Sequence, residues 1–164
     1  MDMSDTGGKY NSVEIARYII AIANSKAIPI NMTKVQKLLY IAYGVYLAVM
    51  EERLLNEHPQ AWPYGPVFPT TRNKLLKCNF YNINLKDGEF DKLRNDDTLN
   101  SLLKSVFSTF GFWTASQLSE WSHQDGSPWE VTTNQEDFSW GQVISDDDIK
   151  GYFKLITKQN TSRK

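Results

Sequence analysis

The stretch MTKVQKLLYIAYGVYLA, residues 32–48, constrains the fold more than any other part of the chain. Val35, Leu38, Leu39, Ala42, Val45, Tyr46 and Val49 step by three and four, the spacing of one helix face. Thr33 followed by Gln36 reads as a capping box at the start. Ile41, Tyr43 and Leu47 then place apolar groups on the other faces of the second half. A helix that is apolar on most sides is surrounded by protein, so the pattern predicts a central helix over about 33–50 with other helices around it.

The remaining elements fit that plan. Asn11 with Glu14 predicts a first helix carrying Val13, Ala16, Ile20, Ala23 and Ala27 and ending before Pro29. TTRNKLLKC predicts a third helix with Pro69 in its first turn. Leu99, Leu102, Leu103, Val106, Phe107 and Phe110 form a further stripe, capped by Asp97 and stopped by Gly111. Thr114 with Gln117 caps a shorter helix carrying Leu118 and Trp121, and Ser127 with Pro128 reads as an N-cap and N1 pair opening a short turn. A last helix follows SDDD, with Ile149, Tyr152, Phe153 and Ile156 inward and three acids at its positive end. DGEFDKLRNDD, residues 87–97, is charged enough to predict an exposed loop. LLNEHPQAWP and DFSWGQVIS are expected to pair as a small antiparallel ribbon. The fold class is therefore mainly α: one compact helical bundle over residues 10–157, with flexible tails at 1–9 and 158–164.

Composition excludes several function classes. Eighteen basic residues against nineteen acids give a net charge of −1, so neither nucleic acid nor an anionic membrane is an expected partner. One cysteine and two histidines are too few for a disulfide framework or a structural zinc site, and a reducing cytoplasm is the expected location. No apolar run reaches the roughly 18 residues of a membrane helix. TGGK at 6–9 lacks the spacing of a phosphate loop, and no G-x-S-x-G elbow is present. Asp146, Asp147 and Asp148 are explained by the helix dipole without a metal. No metal, no cofactor and no catalytic constellation are expected; Cys78 reads as a small packed residue.

Two stretches carry the functional interest. AWPYGPVFP, residues 61–69, holds three prolines, so it can be neither a helix interior nor a central strand, and it reads as a shaped loop. Pro63, Pro66 and Pro69 have the spacing of a polyproline ligand, but Gly65 loosens it, and Trp62 and Phe68 are expected to pack inward. Tyr64 is the better surface candidate. In LSEWSHQDGSPWE, residues 118–130, His123 between two tryptophans reads as a hydrogen-bonding turn residue, the alternative being an acid–base role with Asp125 in a hydrolase.

In order and spacing, MTKVQKLLYIAYGVYLA, AWPYGPVFP and ASQLSEWSHQDGSPW together resemble the SocA-like or Panacea domain, a family of phage-associated antitoxin-type proteins. The resemblance rests on Gln36, Lys37, Leu38, Leu39 and Tyr40; on Ala61, Trp62, Tyr64, Gly65, Pro66, Val67 and Pro69; and on Leu118, Ser119, His123, Pro128 and Trp129. Two positions depart from it: Ser122 stands where threonine is common, and Pro63 where a basic or polar residue is. The resemblance implies a non-enzymatic protein that neutralises a cognate protein toxin by direct binding. A family member of this kind also works as an adaptor to an ATP-dependent protease. Tyr64, Trp62, Pro63, Pro66 and His123 are the expected partner-binding residues. Gln36, Lys37, Leu38, Tyr40, Gly65, Pro69, Pro128 and Trp129 are expected to be structural.

Overall fold

The computed structural model describes residues 7–162; of the two expected tails, residues 1–6, 163 and 164 lie outside the described residues. The fold is mainly α, with one small two-stranded antiparallel sheet among the described residues. Helix α1 (Ser12–Ser25) starts at Asn11, whose side chain accepts from the Val13 N–H, and buries Ile15, Ala16, Ile19, Ile20 and Ala23. It stops earlier than its spacing predicts. Ala27 is exposed with φ 54°, a left-handed turn residue rather than a helical one, and only Ile28 returns to the core.

Helix α2 (Met32–Met50) is the central helix, in contact with α1, with every longer helix that follows and with the sheet. Its N-cap is Asn31, whose Oδ1 accepts from the Lys34 N–H at 2.9 Å. The predicted cap Thr33 is therefore inside the first turn, and Gln36 is released from capping. From Lys34 to Ala48 every residue but Val45 is buried, while Val49 at the predicted end of the stripe is exposed. Only Val49 and Met50 of the last turn of α2 are exposed, and the helix ends at Glu51 in the left-handed conformation, where Lys150 of the last helix pairs with the Glu51 carboxylate at 2.6 Å.

Helix α3 (Pro69–Leu75) begins with proline at N1. Its N-cap Phe68 has no side-chain acceptor, and Glu57 supplies one from an earlier loop, accepting from the N–H groups of Thr70 (2.5 Å) and Thr71 (3.1 Å). The same carboxylate accepts from the hydroxyls of Thr71 and Ser12, so α1 and α3 are joined through one acid. Residues 87–97 are not an open loop. A 3₁₀ turn (Gly88–Phe90) and a short α4 (Asp91–Arg94) point their charges outward and bury Phe90 and Leu93, with Phe90 packed 5.5 Å from the Tyr18 ring.

Helix α5 (Asp97–Phe110) is capped by Asp96 rather than Asp97, through the Leu99 N–H at 3.0 Å, and stops at Gly111. Helix α6 (Ala115–Ser122) has the full Thr114–Gln117 capping box, and α7 (Pro128–Thr133) opens on Ser127 with proline at N1. Helix α8 (Asp146–Ser162) carries its three acids in the first turn and buries Ile149 and Phe153 against α2, while Tyr152 and Ile156 are half-buried. Tyr43 of α2 donates its hydroxyl to Asp146, and Arg53 Nε lies 3.8 Å from the same carboxylate, pinning the start of α8 to the end of α2.

The sheet departs from the expected ribbon. AWPYGPVFP is itself a hairpin: β1 (Gln60–Trp62) pairs with β2 (Gly65–Val67) around a Pro63–Tyr64 turn. Gln60 faces Val67, Ala61 faces Pro66 and Trp62 faces Gly65. The predicted partner, residues 137–145, lies alongside β1 only through the Gln60–Val143 bridge and the hydrogen bonds flanking it.

Gly44 is the point of closest approach between α2 and α8, since a Cβ there would overlap the Phe153 ring. Gly44→Ala is therefore expected to destabilise by about 1–2 kcal/mol, overpacking outweighing the gain in helix propensity. Gly151→Ala, where a Cβ meets nothing within 4 Å, is expected instead to stabilise by up to about 1 kcal/mol. Urea denaturation of the two variants distinguishes them.

Candidate functional site

A hairpin packed on a protein must satisfy the backbone groups on its inner edge. In β2 the Pro66 and Phe68 backbones face away from β1, because Ala61–Pro66 is a pair whose N–H and C=O groups point outward from the ladder. The missing proline N–H thus costs the hairpin nothing. On the other side Ala61 is served by the 141–142 backbone: its N–H donates to Gln142 and its C=O accepts from Gly141, both at 2.9 Å.

Two adjacent side chains of α2 complete the inner edge. Lys37 Nζ donates to the Pro66 C=O at 3.2 Å. Gln36 takes Phe68 with both ends of its amide: Oε1 accepts from the Phe68 N–H at 2.8 Å, and Nε2 donates to the Phe68 C=O at 3.4 Å. Both side chains are buried. A lysine–glutamine pair on a helix here takes the place of a neighbouring strand, which is why polar residues stand in the most buried helix of the fold.

Gly65 allows the hairpin to sit this low. Its φ is +115°, and a Cβ there would lie 2.5 Å from Ser122 Oγ and 2.7 Å from Lys37 Cε. Ser122 is buried, donates to the Ser119 C=O at 2.7 Å and is held through its own C=O by the Ser127 hydroxyl at 2.9 Å. Behind the hairpin, His123 stacks on Trp129 with ring centroids 3.8 Å apart, and Trp129 Nε1 donates to the Trp62 C=O at 2.8 Å. The three separated sequence blocks, Gln36–Lys37, Trp62–Phe68 and Ser122–Trp129, therefore meet at one place.

Burial lowers the Lys37 ammonium to about 8, and it lowers His123 as well, with the Lys37 charge a lesser cause. The His123 ring is thus neutral at pH 7. Its Nε2 is buried and has no hydrogen-bond partner among the described residues, and Asp125 is exposed with no bond to it. Among the described residues no group of three or more metal-ligating side chains is found, and no helix is long and apolar enough to cross a membrane.

The expected partner-binding residues separate into two sets. Tyr64 is 74% exposed and Pro63 is exposed at the hairpin tip. Trp62 is half-buried, with Arg72 5.5 Å from its ring, and His123 is half-buried under Trp129. Pro66 is buried with its carbonyl turned to Lys37, so it has no surface for a partner. Among the residues expected to be structural, Leu38 and Tyr40 are buried in α2, Tyr40 edge-on to Phe153 at 5.6 Å, while Pro69 and Pro128 start α3 and α7. Sequence reading missed Trp140, which is 58% exposed and lies 6.3 Å from the Trp129 ring; its place in an irregular segment left no periodic signal.

Comparison with known proteins follows this geometry. The family model described as "Antitoxin SocA-like, Panacea domain" matches residues 35–130, a span that contains the hairpin, Gln36, Lys37, Ser122, His123 and Trp129, while Gly141 and Gln142 lie beyond it. The protein named Antitoxin SocA from Caulobacter vibrioides (strain NA1000 / CB15N) is 32% identical over 153 residues, covering 86% of this chain and 81% of that protein. No solved structure matches the chain.

The buried lysine makes a pH-dependent prediction. Its pKa is depressed by folding, so its contribution to stability is complete above the unfolded value and lost as pH falls through about 8. Stability is expected to rise by about 1.5 kcal/mol between pH 8 and 9.5. Above pH 10 the raised pKa values of Tyr40 and Tyr43 reverse the trend. Lys37→Met abolishes the rise while lowering stability overall by stranding the Pro66 carbonyl; denaturant titrations across that range measure both effects.

Proposed function

The chain belongs to the Antitoxin SocA-like, Panacea domain family, and from that premise we propose that it is an antitoxin that neutralises a protein toxin by binding it directly, with the hairpin tip in the interface. The observation that supports this reading is a pair of exposed residues, Pro63 and Tyr64, on a base held by buried Gln36, Lys37 and Ser122. Exposed tyrosine and tryptophan on a preorganised scaffold are the composition of binding hot spots, because little entropy is lost when they are covered. Next to the tip in the chain, Trp62 is linked to Arg72 and to Trp129, and Trp129 in turn to Trp140, which extends the same composition. The surface serves recognition rather than catalysis in this reading: His123 is packed as a neutral ring, and its Nε2 meets no acid or nucleophile among the described residues.

Co-expression with the product of the adjacent reading frame tests the proposal. Relief of growth arrest and copurification of a complex are expected; persistent arrest with no complex overturns the reading. The toxin's half-life in the same cells distinguishes simple sequestration, which leaves it unchanged, from delivery to an ATP-dependent protease, which shortens it.

Within the complex, Tyr64→Ala is expected to weaken binding at least tenfold, about 1.4 kcal/mol, with Tm unchanged. Trp129→Ala is expected to lower Tm, because it removes the stack on His123 and the bond to Trp62, at about 3 kcal/mol or more. Calorimetric titration and thermal melts of both variants separate contact from support.

A further inference from the structure

The sequence places Val45 and Val49 on the apolar stripe of α2, yet the chain leaves Val49 62% exposed, Met50 43% exposed and Val45 half-buried. These residues form one wall of a groove of about 450 Å³ between the last turns of α2 and the first half of α5. The opposite wall presents Thr98, Ser101 and Ser105, short side chains that let another backbone come close. Asp97 lines the groove, exposed and without an ion pair among the described residues. Tyr46, also lining it, donates its hydroxyl to Glu52 at 3.1 Å, which adds a second carboxylate beside the apolar floor.

We infer that this groove takes an amphipathic helix of the toxin, with apolar anchors against Val49 and Met50 and a lysine or arginine beside them facing Asp97. The inference rests on the antitoxin reading, which supplies the toxin as the source of the helix. The dimensions fit: Thr98 to Ser105 spans seven residues, about 10 Å or two helical turns, which matches anchors at i, i+3 or i+4, and i+7. The charge selects the occupant. A second copy of this chain, paired symmetrically through the groove, would bring the same carboxylates together, whereas a basic helix meets them with opposite sign. The site is separate from the hairpin tip: no residue of the hairpin lines it.

The test uses the full chain with p-benzoylphenylalanine at Ser101, co-expressed with the product of the adjacent reading frame. Irradiation is expected to cross-link a helical toxin segment bearing lysine or arginine. Val49→Glu and Asp97→Asn are each expected to weaken the complex at least tenfold with Tm within a few degrees of the unsubstituted chain, while Val49→Met leaves affinity within twofold. A cross-link to a second copy of this chain, or to a non-helical or acidic toxin segment, overturns the inference. So does an intact complex in which Val49→Glu binds as the unsubstituted chain does. In both cases the antitoxin reading stands; absence of any complex with the unsubstituted chain overturns the two together.

Discussion

The buried edge of β2 is the constraint on which the arrangement depends. A two-stranded hairpin laid on a helical body presents backbone groups to an interior with no strand to meet them. Here the partners come from α2, where Lys37 and Gln36 reach the Pro66 and Phe68 backbones. Those two residues can do this only because Asn31 caps α2, leaving Gln36 free, and because Gly65 lets the hairpin descend onto Lys37 and Ser122. Moving α2 by one residue would break both bonds at once. The central helix is thereby the scaffold of the core and also the surrogate strand of the sheet.

The same constraint explains which features were legible in the sequence. Periodic apolar spacing exposes α2, α5 and α8, because burial on one face repeats along the chain; Thr114–Gln117 marks α6, because capping chemistry is local, and Ser127–Pro128 marks the start of α7 but reads as a turn rather than the six-residue helix it opens. Cap choices between neighbouring acids or amides were misplaced by one or two residues, Thr33 for Asn31 and Asp97 for Asp96, since both candidates have the right chemistry and only backbone geometry separates them. Gln60–Trp62 falls within a predicted strand, but its partner Gly65–Val67 reads as loop because three prolines argue against a strand, and the register that makes Pro66 harmless is a property of pairing, not of composition. Phe90 and Leu93 were hidden by the charges around them, which face solvent while the two apolar side chains turn inward.

The candidate site was legible as residues but not as a site. Gln36, Lys37, Gly65, His123 and Trp129 were identified by their resemblance to a family pattern, yet nothing in their spacing says that they meet. Lys37 carries the one local hint: a cation amid the apolar turns of a central helix must have a buried acceptor, and its lowered pKa records what that position costs the charged form. The exposed surfaces were less legible still. Val49 reads as core by its spacing, and only the groove between α2 and the short side chains of α5 leaves it open.

Gln36 and Lys37 hold the hairpin by its backbone, at Pro66 and Phe68, and not by the side chains of its turn. The base is therefore indifferent to what stands at positions 63 and 64. The two tip residues can thus be exchanged without touching the bonds that mount the hairpin, and a designer can treat them as a short display loop on a fixed mount.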